Sequence, residues 1–153
     1  MVFGTVSLQQ IVQRQGHLLF GIIPAWGFLY QPLGFLLFTT AAIAETKRAP
    51  FDLPEGESEI IGYCTEYSGI KWGMFFMTDF VETVVMAALV VTLFFGGWQF
   101  PFLYSDGFHF PGLAAMQVPT HVVSLIQVLA FLGKLAFFCW FFLLVRWTLP
   151  RFR

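Results

Sequence analysis

Three long apolar runs dominate the pattern of hydrophobic and polar positions along the chain. Residues 18–44 carry no charge, a stretch longer than the roughly 20 residues needed to cross the hydrocarbon core of a bilayer. Pro24 and Pro32 fall inside it, and a proline is best tolerated where a helix starts, so the regular helix is expected to begin near one of them. Residues 67–97 form a second run, apolar except for Lys71, Asp79 and Glu82, that closes on the punctuation of Gly96-Gly97. Residues 120–146 form a third, broken only by Lys134 before Arg146, with Pro150 just beyond. The pattern predicts an all-α, polytopic membrane protein of about three transmembrane helices: A (18–44), B (67–97) and C (120–146). An acidic loop (45–66) joins A to B, and a connection rich in Pro, Gly and aromatics (98–119) joins B to C. Residues 1–17 precede helix A, and a basic tail (147–153) follows helix C.

Composition removes the main alternatives. Charged residues make up 11% of the 153, whereas a soluble domain needs about 25% to cover its surface. With 58% apolar and 20% aromatic residues the chain also lacks the polar signature of disorder. A net charge of -1 supplies no basic stripe for nucleic acid. Cys64 and Cys139 are far apart and belong to no metal-ligand spacing, so both read as small apolar residues. No cysteine set or glycine-rich phosphate loop is present to hold an iron–sulfur cluster or a flavin, so no bound cofactor is expected.

Basic residues orient the spans, because Lys and Arg near span ends are retained on the cytoplasmic side. Lys47 and Arg48 lie in the A-to-B loop, Arg146, Arg151 and Arg153 follow helix C, and the B-to-C connection has no Lys or Arg. The loop and the C-terminus are therefore expected to be cytoplasmic, which leaves residues 1–17 on the outer side. Residues 1–16 lack the basic-then-apolar build of a signal peptide. An N-terminus that must cross unaided suggests that upstream spans belong to this protein, so the chain is expected to be a fragment or one half of a split subunit.

The loop concentrates the acids: Glu45, Asp52, Glu55, Glu57, Glu59 and Glu66 are six of the chain's nine. Pro50 and Pro54 forbid a continuous helix, and a helix restarted after Pro54 sets Glu55 and Glu59 at i, i+4. Crowded carboxylates titrate as a coupled set, as a proton-accepting or relaying site requires. A solvated acidic loop is the plainer reading of the composition alone.

The wording of the loop changes that balance. The run AETKRAPFDLPEGESE (44–59), continued by EYSGIKWGMFF (66–76) and ALVVTLFFGGW (88–98), closely resembles the H-type membrane subunit of the bacterial NADH:quinone oxidoreductase, subunit 1 of the mitochondrial enzyme, which is respiratory complex I. SLQQIVQRQ (7–15), QPLGFLLF (31–38) and RWTLPRFR (146–153) match in the same order, so the resemblance spans essentially the whole chain. It implies further spans before Ser7 and one after Arg153, making the chain the C-terminal portion of such a subunit. It also implies a bacterial cytoplasmic membrane protein that walls the chamber where ubiquinone or menaquinone is reduced, with quinone as substrate. Flavin and clusters then reside in partner subunits, and antiporter-like subunits and a chain carrying the absent spans are further partners. By the same resemblance Glu45, Arg48, Asp52, Glu55, Glu57 and Glu59 line the chamber mouth or begin the acidic path to the proton pumps, with the Arg48 guanidinium bridging carboxylates.

Charges inside the spans continue that path. Asp79 and Glu82 are three apart on helix B and share a face with Lys71. Each costs about 2.5 to 3.5 kcal/mol at mid-membrane on insertion scales, so each should face protein or water. Lys71 reads as a side chain snorkelling to the interface. The resemblance places a glutamate at Asp79 in the buried acidic path, and Glu82, matching no family acid, compensates for the shorter aspartate. Lys134 has a basic counterpart in the family and is expected to pair with one of these two carboxylates, completing a proton relay of Asp79, Glu82 and Lys134. His17, His109 and His121 lie at span edges and read as interfacial.

Three other functions fit less well. A related enzyme fed by ferredoxin or another donor would share the fold and differ only in its electron-input subunits. An ion transporter using Asp79, Glu82 and Lys134 should show inverted repeats, and none is visible. A structural anchor would use the acidic loop only to dock soluble partners.

Overall fold

The computed structural model describes residues 3–19, 23–46, 51, 68–104, 107–108 and 116–150. Arg48, Asp52, Glu55, Glu57, Glu59 and Glu66, and with them most of the acidic loop, lie outside the described residues, as do Arg151 and Arg153 of the tail. The described chain is all-α in character, carrying helices α1 (Leu8–Gln15), α2 (Gly27–Tyr30), α3 (Pro32–Glu45), α4 (Ile70–Phe94) and α5 (Thr120–Thr148). Five two-residue strands complete it. Leu18–Leu19 (β1) pairs antiparallel with Ile23–Pro24 (β2), and Leu103–Tyr104 (β3), Gly107–Phe108 (β4) and Met116–Gln117 (β5) form an antiparallel ladder within the B-to-C connection.

Two of the expected spans are present at full length. α4 has 25 residues and α5 has 29, about 37 and 43 Å at the 1.5 Å rise of an α-helix, and both are apolar enough to cross a membrane. Only 22% and 11% of their most apolar stretches are buried within the chain, the reverse of core helices in a soluble protein. Their ends follow the sequence punctuation. Gly69 (φ 68°) precedes α4, Gly96 (φ 70°) and Gly97 (φ 51°) turn the chain away after it, and Pro119 precedes α5.

The regular helix of the first run begins at one of its two prolines, as expected, at Pro32. Among the described residues of this run, β1 pairs with β2, and the single turn α2 precedes the 14-residue α3, which is about 21 Å long and shorter than the hydrocarbon core. Pro32, the first residue of α3, forces Gln31 out of the helical region (φ -142°, ψ 70°) and so separates α2 from α3. Ahead of that run, α1 is amphipathic and buries Ile11, Val12 and Gln15.

The core forms where α3 meets the second halves of α4 and α5. Ala42, Ala87, Val90, Val91, Phe138 and Phe142 make one buried cluster. Every buried residue of α4 lies between Thr83 and Val91. Phe138, near the middle of α5, meets Phe95 at the end of α4 with ring centroids 4.9 Å apart. The antiparallel pair is therefore offset: the first half of α4 extends past α5 at one end, and the first half of α5 extends past α4 at the other. Ala87 is fully buried at this junction, so Ala87→Leu overpacks it. A loss of about 1–3 kcal/mol is expected, measured as a lowered thermal midpoint of the detergent-solubilised protein.

Candidate functional site

The half of α4 that extends beyond the core carries the intramembrane acids. Asp79 is exposed within the chain and Glu82 half-buried, one turn apart on the sector that also holds Lys71, which is exposed. Two hydroxyls of this helix bond back to its own carbonyls. Thr78 Oγ1 donates to the Met74 carbonyl (2.9 Å) and Thr83 Oγ1 to the Asp79 carbonyl (2.9 Å). The opposite face of the same half-helix is apolar, with an open groove of about 510 Å³ along Ile70, Gly73, Met74, Met77, Thr78 and Val81. At 100° per residue the groove lies nearly diametrically across the helix from Asp79. The Asp79 sector also carries the exposed rings of Trp72, Phe75 and Phe76, so the two carboxylates interrupt an otherwise apolar half-helix.

Glu45 ends α3 and is exposed. A carboxylate there meets the negative end of the helix dipole, so local helix energetics do not account for it.

A second polar centre lies at the other end of α4, and the sequence pointed to only one of its members. Gln15 of α1 is fully buried. Its Nε2 donates to the Leu93 carbonyl (2.9 Å) and, more weakly, the Thr92 carbonyl (3.4 Å), and its Oε1 accepts from the Gly27 N–H (3.3 Å). Lys134 Nζ donates to the carbonyls of Phe95 (2.8 Å), Gly97 (3.1 Å) and Gln99 (2.7 Å) and lies 5.5 Å from the centre of the Trp26 ring, within cation–π range. Around these groups Phe95 gathers rings from three directions, stacking on Phe28 (5.3 Å) and meeting Phe35 (5.6 Å) and Phe138 (4.9 Å). Gly27 permits the closest approach, since a Cβ there would lie 2.5 Å from the Leu93 carbonyl oxygen.

This geometry separates residues that the sequence grouped. Lys134 binds the end of α4, whereas Asp79 and Glu82 lie roughly 24 and 20 Å earlier along the same helix at the α-helical rise. The expected ion pair between Lys134 and one of these carboxylates is replaced by three backbone carbonyls. The physical reason is the offset of α4 and α5, which brings the middle of α5 to the C-terminal carbonyls of α4. Gln15 escaped the sequence reading as a functional residue. Its signal was an amide on the same face of α1 as Ile11 and Val12, a polar group on an otherwise buried stripe.

A family model for NADH dehydrogenase matches residues 1–153. The chain belongs to the NADH dehydrogenase family. Among curated proteins it is similar to the NADH-quinone oxidoreductase H-type subunit of Bdellovibrio bacteriovorus, 41% identical over 167 residues, covering 100% of this chain and 43% of that protein. The same subunit of Salinibacter ruber is 40% identical over 154 residues, with 100% and 43% covered. NADH-quinone oxidoreductase subunit 8 of Rhodothermus marinus is 42% identical over 153 residues, with 98% and 42% covered. The chain thus spans about two fifths of the length of these relatives. As an NADH dehydrogenase family member with two helices able to span a membrane, it is an integral membrane protein.

Proposed function

We propose that this chain is a membrane subunit of a proton-translocating NADH:quinone oxidoreductase, where it walls part of the quinone chamber and passes protonation changes onward. The observation that carries the reading is similarity along the whole chain, acidic loop included, to proteins named as the H-type subunit of NADH-quinone oxidoreductase. The placement of Asp79 and Glu82 supports it, because they occupy the half of α4 that adjoins the loop. Glu45, Arg48, Asp52, Glu55, Glu57 and Glu59 then form the chamber mouth and the entry to the acidic path, with the loop and C-terminus on the cytoplasmic side of a bacterial inner membrane. Asp79 and Glu82 continue the path into the membrane. The groove from Ile70 to Val81 offers an apolar wall to an isoprenoid tail. The chain contributes position and charge, and flavin and clusters belong to its partners.

Mild-detergent isolation from native membranes, with mass spectrometry of the co-purifying chains, tests the assignment. Recovery with iron–sulfur and antiporter-like subunits is expected, and recovery of the chain alone refutes it. A combined Glu55→Gln, Glu57→Gln and Glu59→Gln variant should assemble yet lose quinone reduction or pumping, while failed assembly would make the loop a docking element instead. Glu82→Gln is expected to lower protons moved per electron by at least about twofold with quinone reduction retained, since an intramembrane relay carboxylate serves transfer rather than binding. Vesicle proton-uptake assays measure this, and an unchanged ratio removes Glu82 from the path.

A further inference from the structure

We propose that Lys134 is a tethered cation that closes the C-terminal end of α4 and, together with Gln15, positions the helix bearing Asp79 and Glu82. It is a positioning residue rather than a proton carrier. The consequence for coupling rests on the function proposed above, whereas the clamp itself does not.

Donor accounting leads to this assignment. A lysine ammonium has three N–H bonds, and here they are matched by the carbonyls of Phe95, Gly97 and Gln99 at 2.7–3.1 Å. Releasing a proton would withdraw one of the donors that hold the turn. The nearest intramembrane carboxylate of α4, Glu82, is roughly 20 Å away along the helix, too far for direct transfer.

Acceptor accounting leads to the same place. A helix leaves its last carbonyls without internal partners, and in an apolar surrounding those groups must be satisfied by protein. Val91 O accepts the N–H groups of Phe95 and Gly97 (both 3.0 Å). Gln15 takes Thr92 O and Leu93 O, and Lys134 takes the three carbonyls that follow the helix. Those three converge because Gly96 and Gly97 adopt positive φ, a conformation that L side chains rarely adopt. The negative end of the α4 dipole and the face of Trp26 also attract the ammonium. Two side chains from opposite ends of the sequence thus set the axial position and rotation of α4, and with them the depth of Asp79 and Glu82.

Arginine separates clamp from carrier, because a guanidinium donates hydrogen bonds but does not give up its proton. In the assembled, membrane-embedded enzyme, Lys134→Arg is expected to keep quinone reduction and protons per electron within about twofold. Lys134→Met should raise hydrogen exchange of the amides at 95–99 by at least about tenfold, as the turn opens locally. A Lys134→Arg enzyme that assembles and reduces quinone but no longer moves protons would overturn the proposal, and so would unchanged exchange in Lys134→Met. Where Lys134→Met does not accumulate, Gln15→Leu reads the same clamp with the lysine intact. Exchange across 92–99 should then rise about tenfold, and no change refutes the two-residue cap. Increased exchange in an enzyme shown not to reduce quinone would leave the clamp standing and remove only the proposed function.

Discussion

Asp79→Asn is expected to reduce proton-coupled quinone reduction by about 100-fold in the assembled complex, within the range that a single positioned proton-transfer group contributes. Asparagine keeps the shape and two polar atoms of the side chain but cannot carry a proton. Asp79 is exposed within the chain and lies outside the buried cluster, so the amount of folded subunit should stay close to that of the parent. Asp79→Glu, which extends the carboxylate by one methylene, should retain most of the coupled rate. The measurement is NADH-driven acidification of inverted membrane vesicles beside NADH oxidation by a soluble acceptor that bypasses the quinone. Normal acidification by Asp79→Asn would take this residue off the proton path.

Gly27→Val is expected to have the largest structural effect, a destabilisation above about 3 kcal/mol seen as loss of the folded chain from the membrane. A Cβ at this position would lie 2.5 Å from the Leu93 oxygen and 3.3 Å from the Phe94 Cα, both backbone atoms that cannot rotate aside. Relief would require α2 to retreat from α4, which also breaks the hydrogen bond from the Gly27 N–H to Gln15. Val12 and Trp26, packed against Gly97 and Gly96, would lose their seats with it. Quantitative detection of the protein in membranes, compared with Gly73→Ala, checks this. The Gly73 site has open space around it, so that variant should accumulate normally.

The long spans were legible because one property governs them. A run of apolar residues long enough to cross the bilayer, without an interior proline and closed by glycine or preceded by proline, has little alternative to a helix once backbone groups must be satisfied internally. α4 and α5 therefore begin and end within a few residues of where the pattern put them. The run of 18–44 is equally apolar, yet its regular helix starts only at Pro32, one of the two prolines that the sequence offered, because Pro32 holds Gln31 out of the helical region.

The polar centres divide in the same way. The order of residues is enough to establish an all-α membrane protein of this family. It is also enough to put Asp79 and Glu82 on one sector of a helix, because helical periodicity assigns faces whatever packs on them. It further requires that Lys134, within an apolar span, find a polar partner. Which partner it finds depends on packing in three dimensions. The offset between α4 and α5 and the positive φ of Gly96 and Gly97 bring three carbonyls to the ammonium, while Gln15 arrives from α1 to take two more. Backbone carbonyls belong to every residue and are spelled by none. A carboxylate partner can be sought in a sequence by its letter, whereas packing and a turn decide which carbonyls reach an ammonium.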